Sequence, residues 1–291
     1  MKNLILILAA FSLLACEKTI EFDLPTEDPQ LAVTSKIVAS DSIHAIVSIS
    51  SPALSGNPKI ANDATVLLME NGQTVATLTI NPNSSVIGGQ NVYLYTAQYP
   101  FVLGKTYTLK VSKTNYETVE GSCIVPRAPI VETAEYFAAT KKIKGSIVDR
   151  PGKGHIYKIE VQMKNDFYGR GFSSTDLTME FYEGFSEFIE VDNEGTYGTR
   201  AFLRDELFDG KTRNFELNYH DFNGGGTGGD SLFLKITAVS LDQYEFEKTV
   251  DLGAFSGENP FSEPLSIYSN MSNGKGNFGA VNSVFKGLEK K

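Results

Sequence analysis

Between Ala64 and Ile80 the chain reads ATVLLMENGQTVATLTI, two apolar runs separated by Asn71-Gly72. Both residues of that pair accept the positive φ of a type I′ turn, so it is the strongest short-range signal for a β-hairpin. The same period of two recurs in TYTLKVS, where Tyr107, Leu109 and Val111 fall on one face and Thr108, Lys110 and Ser112 on the other. LAVTSKIVA from Leu31 and HAIVSIS from His44 add two further short runs rich in Val, Ile and Ala. Short strands with turn signals every roughly 8–12 residues predict a β-sandwich of about 100 residues. It is expected to span 30–126, with its last strand ending at Ile124 and VPRAP following as a linker, and its order of hairpin, Tyr-rich strand and Gly104-Lys105-Thr106-Tyr107 resembles immunoglobulin- or transthyretin-like domains.

The remainder, 127–291, is expected to form a second β-rich, sandwich-like domain with one short helix. GHIYKIEVQMK, LTMEFYEGFSEFIEV, TRNFELNYHDF and DSLFLKITAVS read as strands, with NDFYGRG and DELFDGK as loops between them. DQYEFEKTVDL reads as the helix, because Tyr244, Phe246 and Val250 do not alternate and the run follows a strand. The final KGLEKK is polar and basic and is expected to fray. A chain of 291 residues, 41% of them hydrophobic, has the material for a sizeable core. At about 100–200 residues per domain its length suits two domains of a mainly β protein.

The first residues carry a different kind of information. Lys2 precedes an apolar stretch from Leu4 to Leu14, and Ala15 stands directly before Cys16, the pattern of a secretory signal covering 1–15. Leu13 three positions before the cysteine and Ala15 just before it make a lipobox, although Leu14 is less usual than Ala or Ser between them. The lipoprotein peptidase cuts ahead of a cysteine that already bears a diacylglycerol thioether, so Cys16 is the expected lipid anchor. EKTIEFDLPTEDP then continues from Cys16 as an acidic, extended tether over 16–29. Cys123, the second of two cysteines, is left without a disulfide partner and reads as a strand thiol in VEGSCIVP.

Charge and motif content narrow the function. A net charge of −9, with Asp and Glu spread along the chain, disfavours nucleic acid, whose binding draws on clustered Lys and Arg. No second run approaches the roughly 18–20 apolar residues of a membrane-spanning helix. His44, His155 and His220 do not stand at metal-ligand spacing with another His or Cys, and there is no G-x-S-x-G elbow. No catalytic residue, metal or cofactor is therefore assigned. Glu180, Glu183 and Glu187 are close enough in sequence to supply the paired carboxylates of a glycosidase, but such density is more often a solvated strand face. GGTGGDSLF, 225–233, matches a calcium β-roll nonapeptide at its fixed positions. One copy cannot make such a site, and the run reads as a hairpin loop. Ser42 and Ser231 sit in Asp-Ser-apolar triplets that resemble O-glycosylation acceptors. Phe167, Tyr168 and Phe172, flanked by glycines, are candidate exposed contact residues.

Two stretches carry a family resemblance. CEKTIEFDLPTEDPQLAV at the start and NPFSEPLSIYSNMSNGKGNFGAV near the end, with DELFDGK and SLDQYEFEK in order between them, resemble a family of Bacteroidota outer-membrane lipoproteins known as a domain of unknown function. Lys275 stands where the pattern has a bulky apolar residue between Gly274 and Gly276. The resemblance implies an outer-membrane lipoprotein commonly encoded beside a TonB-dependent receptor, and it transfers no catalytic residue. Glu17, Glu21 and Asp23 after Cys16 resemble the anionic signal for cell-surface display, interrupted here by Lys18 and Thr19. The C-terminal signature is expected to be either a closing loop that seals the second domain or a binding loop. In the second case Asn270, Asn273, Gly274 and Gly276 are the contacts. The leading expectation is a non-enzymatic binding protein that partners a TonB-dependent transporter barrel in nutrient capture, its ligand a small molecule or peptide. A surface hydrolase of glycans or peptides and a structural or adhesive module are the alternatives.

Overall fold

The computed structural model describes residues 28–39, 41–51, 59–81, 85–87, 90–163, 169–182, 196–220, 232–258 and 265–291. In the first half the strands are β1 Leu31–Val38, β2 Ser42–Ile49, β3 Lys59–Ile60, β4 Thr65–Glu70, β5 Gln73–Ile80, β6 Ser85–Ile87, β7 Gln90–Val92, β8 Tyr95–Gln98, β9 Thr106–Ser112 and β10 Val119–Ile124. The second half contributes β11 Ile130–Phe137, β12 Lys142–Val148, β13 Ile156–Met163, β14 Gly169–Arg170, β15 Phe172–Ser174, β16 Thr196–Gly198, β17 Arg200–Arg204, β18 Thr212–Tyr219 and β19 Leu232–Val239. Helix α1, Leu241–Glu258, is followed by β20, Lys275–Gly287, and β21, Glu289–Lys290. The chain is mainly β.

Local chemistry explains the first half. Asn71 and Gly72 adopt φ of 52° and 77° and join β4 to β5, the hairpin expected from the pair. Tyr107, Leu109 and Val111 of β9 are fully buried, as their alternation requires. They pack with Leu31, Val33 and Ile37 of β1 and Val66 and Leu68 of β4 in one apolar core.

The second half is a sandwich. Its six-stranded sheet runs β16-β15-β18-β12-β11-β21. Its inner side chains, Ile143, Ile147, Phe215 and Leu217 among them, meet Ile159, Val161, Leu234 and Ile236 from β13 and β19 in a second core. Helix α1 lies on the opposite face of these strands, where Tyr244 packs with Ile156, Phe202, Val239 and Val281. Ser240 caps it: its Oγ accepts from the Gln243 amide at 3.3 Å, and Asp242 places negative charge in the first turn. The helix is longer than DQYEFEKTVDL because it runs on to Glu258.

One strand joins the two halves. The 13-stranded sheet runs β10-β9-β4-β5-β8-β2-β1-β20-β19-β13-β14, with β17 also paired to β13 and β3 to β2, so β20 pairs in parallel with β1 on one side and antiparallel with β19 on the other. Phe278 and Ala280 of β20 are buried in the first core, and Leu288, just past its end, in the second. Just before β20, Ser272 bridges Glu120 of β10, which brings the first half's strands almost full circle.

Three expectations are corrected. The C-terminal signature closes more than the second half: Tyr268 and Asn277 bond to α1 through Asp242 and Gln243, but Met271, Phe278 and Ala280 complete the first core. The tail does not fray, because Leu288 is buried and β21 pairs with β11. LTMEFYEGFSEFIEV is not a strand where it is described: residues 177–182 hold a turn and one bridge from Glu180 to Phe202. The rest of it, 183–191, lies outside the described residues.

Candidate functional site

Where the two halves meet, the end of β10 and the linker after it face the start of β13 and the end of β19. Between them lies a cavity of about 390 Å³. Val125, Ile156 and Val239 give it an apolar floor, and Ile124 and Leu241, 56% and 57% exposed, form its rim. Arg127 and Asp242 add one charge of each sign to the lining. Arg150 pins the linker by donating from Nη1 to the Ala128 carbonyl at 2.8 Å. A concave, mostly apolar site of this size between two structural units is the usual setting for a small ligand.

His155 stands in the wall of this cleft, with its side chain 40% exposed. Behind it are two carboxylates, Asp149 after β12 and Asp205 in a short 3₁₀ turn, whose side chains are wholly buried. His155 Nδ1 lies 3.1 Å from Asp149 Oδ1 and 3.4 Å from Asp205 Oδ2. Asp149 Oδ1 also accepts from the Tyr157 hydroxyl at 2.5 Å, and its Oδ2 accepts from the Gly210 amide at 2.8 Å. Asp205 Oδ1 and Oδ2 accept from the amides of Gly154 and His155 at 2.9 and 3.0 Å. Burial and the bond to Asp149 push the Tyr157 phenol well above its ordinary pKa, so it is a donor throughout the neutral range. Two loops, 149–155 and 205–211, are thereby bound to one another around a pair of buried acids.

A second cluster surrounds Glu180. The hydroxyls of Tyr182 and Tyr244 both donate to its Oε2, and they stand 2.9 Å from each other. Lys248 Nζ sits 5.2 Å from the Tyr182 ring centroid and 5.5 Å from that of Tyr244. Arg204 lies 5.8 Å from the Tyr244 centroid. Burial and the bond to Glu180 raise both phenols, Tyr244 to about 12. The cluster fastens residues 180–182 to α1. A neighbouring ion pair, Lys158 to Glu247 at 2.8 Å, does the same for the middle of the helix and β13.

The residues singled out from sequence fall in several places. Cys16, Phe167, Tyr168, Glu183, Glu187 and Ser231 lie outside the described residues, as does GGTGGD, 225–230. Phe172, expected as an exposed contact, is fully buried in the second core against Phe181, because β15 pairs on both sides and turns its ring inward. Ser42 is the first residue of β2, half-buried and paired with Val38 and Gln98 rather than lying in a turn.

Asn270 and Asn273 are spent on the protein's own backbone. Asn270 Nδ2 donates to the carbonyls of Ser122 and Phe278, its Oδ1 accepts from the Phe278 amide, and Asn273 reaches the Thr118 carbonyl. Gly274 and Gly276 sit where a Cβ would lie 2.6 Å from the Leu31 carbonyl and 1.9 Å from that of Val33, and Gly276 has φ of +110°. This segment clasps β10 to β1, which is the closing role and not the contact role. Lys275 is exposed beside it. Cys123 is buried, and burial pushes its thiol far up, out of the reactive range.

Sequence reasoning set His155 aside on its spacing and missed Asp149 and Asp205. Asp205 belongs to DELFDGK, read only as a loop, and no local spacing links it to Asp149. The recoverable signal was a buried-type position for acids: Asp149 directly follows the alternating run KIKGSIV.

The fold and cleft together define a two-part β protein with a ligand-sized pocket at its seam. No family model matches the chain, and neither does any curated protein. Among solved structures it is similar to the full ectodomain (Ig1-Ig3) of mouse nectin-like molecule 4. The identity is 8% and the TM-score 0.21, over 91% of this chain and 65% of that one. So the chain spans just under two thirds of that ectodomain, at a score too low to carry anything across. Among the described residues no helix is long and apolar enough to cross a membrane.

Proposed function

We propose that this protein is a non-enzymatic binding protein, anchored in the outer membrane through a lipid on Cys16 and displayed at the cell surface. It holds a small molecule or short peptide in the seam cleft and delivers it to a TonB-dependent transporter. The cleft is the observation that carries the binding half of this reading. It is preformed, of ligand size, and joins an apolar floor to Arg127 and Asp242, which suits a ligand with an apolar body and charged ends. The lipobox and the acidic tether support the anchoring half. Glu180, one of three carboxylates that favoured a hydrolase, has one oxygen occupied by two phenols and is tied into the fold.

Purification of the lipidated full chain from native membranes in mild detergent tests the reading. A β-barrel transporter is expected to co-purify, and replacing Leu241 at the cleft rim by Glu is expected to remove any small molecule carried with the protein. Recovery of the chain alone, with no barrel, would sink the partnership.

A further inference from the structure

We propose that Asp149, His155 and Asp205 form a binding site for one divalent transition-metal ion, in the wall of the seam cleft. The proposal stands independently of what the cleft carries.

The geometry is that of a donor set and not merely of two acids. Around a tetrahedral ion with bonds of about 2.0–2.1 Å, neighbouring donors are about 3.3–3.4 Å apart. His155 Nδ1 is 3.1 Å from one carboxylate oxygen and 3.4 Å from the other, and all three atoms lie within 4.8 Å of one another. These atoms come from three separate segments: the residue after β12, the residue before β13, and the turn after β17.

Apart from the imidazole, each of the two ligating oxygens has one hydrogen-bond partner. A carboxylate oxygen offers about two lone-pair sites. Asp149 Oδ1 uses one for the Tyr157 hydroxyl, and Asp205 Oδ2 uses one for the His155 amide. The other oxygen of each acid is held by the Gly210 or Gly154 amide. Every contact other than those to Nδ1 comes from a phenol or a backbone amide that fixes the orientation of the carboxylate. Such outer partners fix ligating carboxylates in place. The two remaining sites converge on a single ring nitrogen, which can offer them only one proton. A dication satisfies both.

Charge points the same way. Two wholly buried carboxylates face one another across a half-exposed imidazole, and buried charges persist when paired or bound to a metal. One nitrogen and two oxygen donors favour Zn²⁺, Mn²⁺ or Fe²⁺ over Ca²⁺ and Mg²⁺, which take oxygen alone. His155 also lines the cleft, so the site adjoins the ligand space.

The test is a calorimetric titration of the purified full chain, stripped with chelator, with Zn²⁺, alongside the visible spectrum of the Co²⁺ derivative. Saturable binding of one Zn²⁺ per chain is expected, with a Co²⁺ spectrum of low-symmetry N/O coordination. His155→Ala is expected to weaken binding about tenfold or more. That variant keeps the residue's amide bond to Asp205, so its thermal melt checks that the fold is intact. Asp205→Asn is expected to do the same, and should it fail to fold, His155→Ala decides. No saturable Zn²⁺ binding, binding that His155→Ala leaves unchanged, or binding of Ca²⁺ in preference to Zn²⁺ would each overturn the proposal.

Discussion

At the residue scale the most informative side chains are polar ones held inside the molecule. Tyr182 and Tyr244 share the Glu180 carboxylate, Tyr157 donates to Asp149, and Tyr268 donates to Asp242 at 2.8 Å. Burial, helped by these carboxylates, raises all four phenols, Tyr244 and Tyr268 to about 12. A phenol whose pKa is higher folded than unfolded contributes stability that is complete below pH of about 10, its unfolded value. That stability drains away as the pH climbs through the folded value. The urea midpoint is therefore expected to fall steadily between about pH 10 and 12, and Tyr244→Phe to flatten part of that fall. Absorbance of phenolate is expected to rise in two stages. A single stage near pH 10 for all 13 tyrosines would contradict the assignment. None of these partnerships was legible beforehand. Glu180 and Tyr182 sit two positions apart in a run that looks like a strand, and Tyr244 comes from a helix 62 residues further on. Pairing at that distance is decided by topology, which a local pattern does not encode.

At the element scale, the hairpin at Asn71-Gly72, the alternation of β9 and helix α1 were legible because each is fixed by its own residues. β20 was not. Its opening residues, Lys275 to Gly279, contain three charged or glycine positions and read as loop, yet they form the start of a 13-residue strand. Its glycines are required by its neighbours. Gly276 lies so close to β1 that a Cβ would meet the Val33 carbonyl at 1.9 Å, and its φ of +110° is open to few other residues. Gly276→Ala is expected to cost at least about 2 kcal/mol, from strain at that φ together with displacement of the β1 backbone. Gly72→Ala has open space around its Cβ and pays for its φ alone, so it is expected to cost about 1 kcal/mol. Urea unfolding of the two variants side by side checks the order; equal losses would show that the β1 contact at Gly276 is not tight.

At the scale of the whole molecule, the boundary near residue 126 separates two cores but not two independent folds. Met271, Phe278 and Ala280 fill the first core from the far end of the chain, and β20 is hydrogen-bonded to a strand of each half. Calorimetry of the full chain is expected to show one cooperative transition, and removal of residues 275–291 to unfold both halves. Two separate transitions, or a stable fragment 30–126, would show that the halves are autonomous. Sequence located the two cores because each is fed mainly by nearby runs. It gave the C-terminal signature to the second half alone, since parallel pairing between residues 32–38 and 275–281 leaves no trace in periodicity.

The central position of β20 also sets when this protein can come into being. A chain leaves the ribosome amino end first, and β1 must stand with one edge unpaired until residues 275–281 have been made. The growing polypeptide is thus held incompletely folded for almost the whole of its synthesis. It locks only after β20 has emerged, and until then the exposed edge of β1 is open to proteases and chaperones.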